Sequence, residues 1–196
     1  MERKNSSRIR LMEATFHLIE QQGYHGTGLN QIIKESGAPK GSLYYYFPNG
    51  KEELVAEAIK EYGQSLINRI QSVLIDATDP AEVTQLIFIN LAKKMDESQC
   101  TKAGSFASVT LETANSSAIL QKACKTMYDG CTNAYQEMLQ KHGFSKARAV
   151  QIASFITSSM EGAIVLCRAK RNSQPLIQAA EELYFYLKML LDNNTK

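Results

Sequence analysis

Residues 23–50 hold six of the eleven glycines (Gly23, Gly26, Gly28, Gly37, Gly41 and Gly50) and two of the four prolines, Pro39 and Pro48. A stretch punctuated this densely can fold only as short helices joined by tight turns, because each of these residues interrupts helix propagation. The neighbouring residues supply the pattern for those helices. From Ser7 to Gln22, the residues Ile9, Met12, Phe16 and Ile19 recur at intervals of three, four and three, the stripe of an amphipathic helix that Gly23 closes. Thr27 precedes Leu29, Ile32 and Ile33 and is suited to cap a short second helix ending near Glu35. Ser36-Gly37-Ala38 reads as a turn, and Pro39 presets the backbone for a third helix through Phe47.

Beyond Pro48-Asn49-Gly50 the chain reads as one long helix from Lys51 to about Ile75, with Val55, Ile59, Tyr62, Leu66, Ile70 and Val73 on one face. Further helices are expected at 80–95, 103–114, 116–142, 145–170 and 175–192. No run alternates with the period of a strand. The expected class is therefore all-α with about nine helices, a three-helix head over residues 1–51 and a helical body over 52–196.

Composition narrows the function classes. At 196 residues, 44% apolar and 21% charged, the chain has the makeup of a globular protein rather than a disordered, collagenous or disulfide-scaffold one. The uncharged apolar run Ala149–Met160 is twelve residues, and the longest run without a charge, the glycine-rich Gln21–Ile33, is thirteen, both short of the roughly 18 that a membrane-spanning helix needs. Met1-Glu2-Arg3-Lys4 leads into no apolar signal region, so a cytoplasmic location without a membrane partner is expected. Cys100, Cys124, Cys131 and Cys167 form no C-x-x-C pair and have no histidine at ligand spacing, which predicts reduced thiols and no metal. The chain carries only His17, His25 and His142, no G-x-S-x-G elbow and no Walker loop. Gly26-Thr27-Gly28 lacks both the third glycine and the preceding strand of a dinucleotide fingerprint. Neither an enzyme nor a cofactor is expected.

The net charge of +2 is unevenly spread. Residues 1–51 carry seven basic side chains (Arg3, Lys4, Arg8, Arg10, Lys34, Lys40, Lys51) and four acidic ones (Glu2, Glu13, Glu20, Glu35), while the remainder is −1. A basic head before a near-neutral body suits a polyanionic partner, with Arg3, Lys4, Arg8 and Arg10 either reaching it or forming a solvated arm. Helix, glycine turn, helix is also the arrangement in which the second helix of the pair enters the major groove of DNA. Leu43 and Phe47, four apart, point inward and leave Lys40, Gly41, Tyr44 and Tyr45 outward. A lysine there can donate to guanine, and tyrosine hydroxyls commonly reach phosphates.

The run Thr27-Gly28-Leu29-Asn30-Gln31-Ile32-Ile33-Lys34-Glu35-Ser36-Gly37-Ala38-Pro39-Lys40-Gly41-Ser42-Leu43-Tyr44-Tyr45-Tyr46-Phe47-Pro48, followed by Lys51-Glu52-Glu53-Leu54, resembles the DNA-binding signature of the TetR family of bacterial transcriptional repressors. With the extra residue in Pro48-Asn49-Gly50, it looks like the LmrA/YxaF branch of that family. The resemblance implies that Thr27 holds a phosphate at the start of the second helix and that Lys40, Gly41 and Tyr45 approach bases. It also implies backbone contacts from Ser42 and Tyr44 and a phosphate anchor at Lys51.

In the body, Leu176, Ala180, Leu183, Leu187 and Leu190 repeat at four, three, four and three, the seam of an antiparallel bundle. The helix before it is apolar on two sides, with Ala153, Ile156, Met160 and Ile164 on one and Ile152, Phe155, Ser159 and Val165 on the other. Together with the four-helix interface that the resemblance implies, this predicts a homodimer through Phe155, Val165, Leu176, Leu183, Leu187 and Leu190. The resemblance further implies a small-molecule effector pocket; candidate contacts are Phe88, Phe106, Met127, Tyr128 and Met160, with Glu112 and Glu161 as polar partners. Their side chains suit an apolar, aromatic ligand. The expected function is a regulator, acting as a repressor, that binds a palindromic double-stranded operator and is released by that effector. A helical protein-interaction adaptor without DNA binding, or a small-molecule-binding enzyme, are the alternatives; the first leaves Lys40, Tyr44 and Tyr45 unexplained.

Overall fold

The computed structural model describes the backbone of residues 2–101 and 106–194 and the side chains of 7–101 and 106–193. The described residues form α1 (Glu2–Gln22), α2 (Leu29–Ser36), α3 (Lys40–Tyr46), α4 (Lys51–Leu74), α5 (Pro80–Glu97), α6 (Ala107–Thr113), α7 (Ala118–Lys141), α8 (Lys146–Lys170) and α9 (Gln174–Asn194), and no strand. The side chains of Arg3 and Lys4, and the first residues of the helix expected at 103–114, lie outside the described residues. The chain divides into two compact units, Met1–Ser65 with Phe106–Met127, and Leu66–Ser105 with Tyr128–Lys196.

In the first unit α1 packs against α2 and α3. The core is Leu11, Met12, Ala14, Leu18, Ile32, Leu43, Phe47, Leu54 and Ala58. The row Leu11, Ala14, Thr15 and Leu18 is buried alongside Met12 and Ile19, whereas Ile9, expected on the inward stripe, is 43% exposed. Farther along, α1 is covered on more than one flank. Phe16 stacks on Tyr62 of α4 with ring centres 4.4 Å apart and meets Phe106 at 5.6 Å. A helix covered this way has no single apolar stripe for periodicity to find. Thr15 is tolerated in this core because its hydroxyl donates to the Leu11 carbonyl at 2.7 Å.

In the second unit α9 packs against α5 and α8. Three of the leucines expected at an interface are already covered within the chain. Leu176 and Leu187 are fully buried and Leu183 nearly so, all within one chain. A 3.5-residue seam marks a helix buried along one side, and within this chain α9 lays its seam against α5 and α8. On α8 the inward residues are Ala149, Ile152, Ala153, Ile156, Ala163, Ile164 and Cys167. Ile152, expected beside Phe155 on the outer side, is therefore inward, while Phe155, Val165 and Leu166 are each about half exposed. Because both faces are apolar, α8 is long and apolar enough by length and composition to cross a membrane, more so than its twelve-residue uncharged run predicts.

Asp79 joins α5 to α9. Its carboxylate accepts from the Ala81 and Glu82 amides at 2.8 and 3.2 Å, capping α5 ahead of Pro80, and it pairs with Lys188 of α9. Partial burial pushes its pKa up, but the Lys188 ammonium and the two amides outweigh that and hold it below the usual carboxylate range. A depressed folded value means that the contribution is fully present above the ordinary aspartate pKa of about 3.9 and is lost as pH falls through the folded one. Asp79→Asn keeps an oxygen for the cap but loses the ion pair with Lys188, and is expected to cost no more than about 1 kcal/mol at neutral pH. It should also flatten the acid limb of a urea-melt stability curve; an acid limb as steep as that of the parent protein would remove Asp79 from the account.

All four cysteines are buried and outside any disulfide. Burial, with Glu161 adding to it, pushes the Cys131 thiol up to about 11.

Candidate nucleic-acid interface

The turn between α2 and α3 is made by Gly37, which caps α2 in the left-handed region at φ 58° with its N–H on the Lys34 carbonyl. A residue with a Cβ is strained there by about 1 kcal/mol or more. From this turn α3 runs with Leu43 and Phe47 buried beneath it. Lys40, Gly41, Tyr44 and Tyr45 lie exposed along its other side, the two tyrosines at 51% and 66%. Ser42 is half-buried, its N–H on the Pro39 carbonyl at 2.8 Å. Tyr46 is also half-buried, edge-on to Tyr45 at 4.9 Å. One short helix thus presents a cation, a glycine without a side chain in the way, and two large hydroxyl-bearing rings.

The supports of this helix differ from the expected ones in two places, Arg8 and Thr27. Arg8 does not belong to a solvated arm: its guanidinium pairs with Glu57 of α4 at 3.0 Å and lies 5.7 Å from the centre of the Phe47 ring. Thr27 does not cap α2; the cap is Gly28, with no side-chain bond. The Thr27 side chain is fully buried and its hydroxyl donates to the Gly23 carbonyl at 2.8 Å, bracing the α1–α2 turn from inside. Lys51, the first residue of α4, is half-buried and turned to the same turn. Its Nζ donates to the Tyr24 carbonyl at 2.5 Å and lies 4.1 Å from the Tyr24 ring centre. Burial pulls the Lys51 ammonium below the usual lysine range, and the Glu112 carboxylate pulls the other way. The extra residue before α4 is absorbed in a tight turn, with the Gly50 N–H on the Phe47 carbonyl at 2.9 Å and Glu53 accepting from the Asn49 N–H at 2.9 Å.

The expected effector contacts fall in both units. Phe106, Glu112 and Met127 belong to the first, and Phe88, Tyr128, Met160 and Glu161 to the second. Phe88 is fully buried, Phe106 and Met127 nearly so. Met127 lies against Gly63, where an added Cβ would come within 2.8 Å of its Cγ. Phe16 and Tyr62, which join Phe106 in an aromatic cluster, were not among the sequence candidates; their spacing marked them as core. Glu112 accepts from the His25 N–H at 2.6 Å. Outside the first unit, the outward faces of α8 and α9 carry Phe155, Val165, Leu166, Phe185 and Met189, all at least half exposed. Between them lies a hollow of about 370 Å³ lined by Phe155, Ser159, Ala179, Glu182, Leu183 and Tyr186. Leu190 is half-buried.

A glycine-turned helix pair with its back packed and its front offering Lys40, Tyr44 and Tyr45 defines a helix-turn-helix transcriptional regulator. Two family profiles match the chain. Residues 11–58 match bacterial regulatory proteins of the tetR family, and residues 80–182 match the C-terminal domain of LmrA/YxaF-like transcriptional regulators. Among its relatives is the uncharacterized HTH-type transcriptional regulator YxaF of Bacillus subtilis, 37% identical over 93% of this chain and 96% of its own. The HTH-type transcriptional regulator LmrA of the same organism is 39% identical over 87% and 91%. A TetR regulatory protein from Rhodobacter sphaeroides has the same fold, with a TM-score of 0.80 at 17% identity over 91% of this chain and 97% of that one. The chain belongs to the TetR family of bacterial transcriptional regulators, in the group with an LmrA/YxaF-like C-terminal domain. Its relatives are transcriptional regulators, not enzymes.

Proposed function

We propose that this regulator acts in the cytoplasm as a repressor, binding a palindromic operator as a homodimer and leaving it when a small apolar, aromatic effector binds. The observation that carries the DNA-reading part is the exposed row on α3 above a fully packed back. Residues 1–51 are the DNA-binding segment and 52–196 the effector and dimer segment. Lys40, Gly41 and Tyr45 approach bases, and Ser42 and Tyr44 contact the sugar-phosphate backbone. Lys51 reaches a phosphate with the ammonium protons that Tyr24 leaves unused, while Thr27 serves by shaping the turn.

Pairing follows from the chemistry of the outward α8–α9 face, where apolar side chains surround a hollow that a large side chain can fill. Two heads set roughly 34 Å apart would read both halves of a palindrome, as one short helix cannot. Phe88, Phe106, Met127, Tyr128 and Met160 are the proposed effector contacts, on the chemistry of their side chains. Effector binding would shift the population toward a state with lower operator affinity, by a coupling of about 1 to 3 kcal/mol.

Selection of bound duplexes from a random pool tests the reading. A palindromic consensus is expected, and repeating the selection with a library of small aromatic compounds should find one that releases it. With that consensus, Lys40→Ala is expected to relax preference at one base pair of each half-site, a loss of about 1 to 3 kcal/mol in discrimination. An unaltered preference profile would take Lys40 out of base readout.

A further inference from the structure

Glu112 belongs to α6, yet its carboxylate is built into the α1–α2 turn, 87 residues away in sequence and within the same compact unit. One oxygen accepts from the His25 N–H at 2.6 Å. The other occupies the space beside Gly23, where an added Cβ would stand 1.9 Å from it. Gly23 is in the left-handed region at φ 76°, so the turn both needs a glycine and uses its missing side chain as the seat for this carboxylate. The same turn supplies Tyr24, whose carbonyl and ring hold Lys51, and Thr27, whose hydroxyl returns to the Gly23 carbonyl. A second tie runs alongside: Ser117, which accepts from the Leu120 amide at the start of α7, is hydrogen-bonded to Glu52 of α4.

We propose that Glu112 is a positioning residue for operator binding: from α6 it holds the Gly23–His25 turn, and through that turn sets both the start of α2 and the Lys51 side chain. The inference rests on the head binding DNA as read above. Glu112 touches no proposed DNA contact by a hydrogen bond of its own, so its effect on affinity passes through the turn.

The test uses the full chain and a duplex selected by the unmodified protein. Glu112→Ala is expected to bind that duplex about tenfold more weakly. Glu112→Gln, whose amide oxygen still accepts from the His25 N–H, should stay within about twofold of the parent, as should Leu111→Ala, an exposed neighbour on α6. Amide exchange at His25 should speed up in Glu112→Ala and not in Glu112→Gln, with melting temperature and sedimentation unchanged in both. Glu112→Asp keeps the charge and loses the reach; it should weaken binding as alanine does, and it carries the test if Glu112→Ala does not fold. Parent-like affinity in the alanine and aspartate variants would overturn the assignment, and a glutamine variant as weak as alanine would overturn the hydrogen bond as its cause. A parent protein that selects no duplex would instead overturn the DNA-binding reading on which it rests.

Discussion

Leu183→Arg is expected to unfold the second unit rather than to separate two chains. Leu183 is 3% exposed in the single chain, so an arginine there must bury an unpaired charge or push α9 off its neighbours. Either costs about 4 kcal/mol or more, a large share of the roughly 5–15 kcal/mol that holds an ordinary domain folded. Phe185→Glu separates the two roles. Phe185 is 66% exposed, and its replacement should change the stability of the single chain by less than about 0.5 kcal/mol. On the proposed pairing, the glutamate variant sediments as a folded monomer. Should Leu183→Arg melt like the parent and sediment as a monomer, the leucine seam would be restored as the interface.

That contrast shows what was readable in the amino-acid order. The seam itself was legible, since spacing alone says that Leu176, Ala180, Leu183 and Leu187 share a buried side. Spacing is silent about whose surface does the burying. The outward side of α9, with Phe185 and Met189, was hidden for the opposite reason: it interleaves with Glu181, Glu182 and Lys188, so its apolar members look like scattered surface residues. On α8, Phe155 and Val165 could be assigned outward because two apolar sides on one helix call for two coverings.

Phe47→Ala is expected to abolish operator binding without releasing the second unit. Phe47 is 1% exposed, closes α3 onto α1 and α4 through the first core, and lies beneath the Arg8 guanidinium. Truncating a buried phenylalanine costs about 3–5 kcal/mol from the lost burial and the cavity left behind. Thermal melting should show the loss in the head alone, with helical signal from α5, α8 and α9 persisting to the parent temperature. A variant that melts as the parent does would mean that α3 is held by something other than Phe47.

The head was the more readable half because its helices are short and each boundary carries a chemical signal: Gly23, Gly37 and Pro39 stand where α1 ends, α2 ends and α3 begins. What escaped were the side chains whose partners are distant or whose local signal has two meanings. A threonine ahead of a helix reads as a cap, yet with Gly28 taking the cap position the Thr27 hydroxyl turns back to Gly23. An arginine near a basic N-terminus reads as solvated, yet Arg8 has Glu57 49 residues ahead of it. Glu112 stood out only as an acid among apolar residues, and no periodicity links α6 to the turn it holds.

The apolar outward face of α8 and α9 has one more consequence, which is quantitative. On the proposed pairing, only coupled chains hide Phe155, Val165, Leu166, Phe185 and Met189, so the melting temperature should rise with the protein's own concentration. Occupancy of a two-headed site would then grow with about the square of copy number when copies are few, because mass action governs how many heads arrive in pairs. A gene under such control would respond to a halving of its regulator's dose more steeply than in proportion.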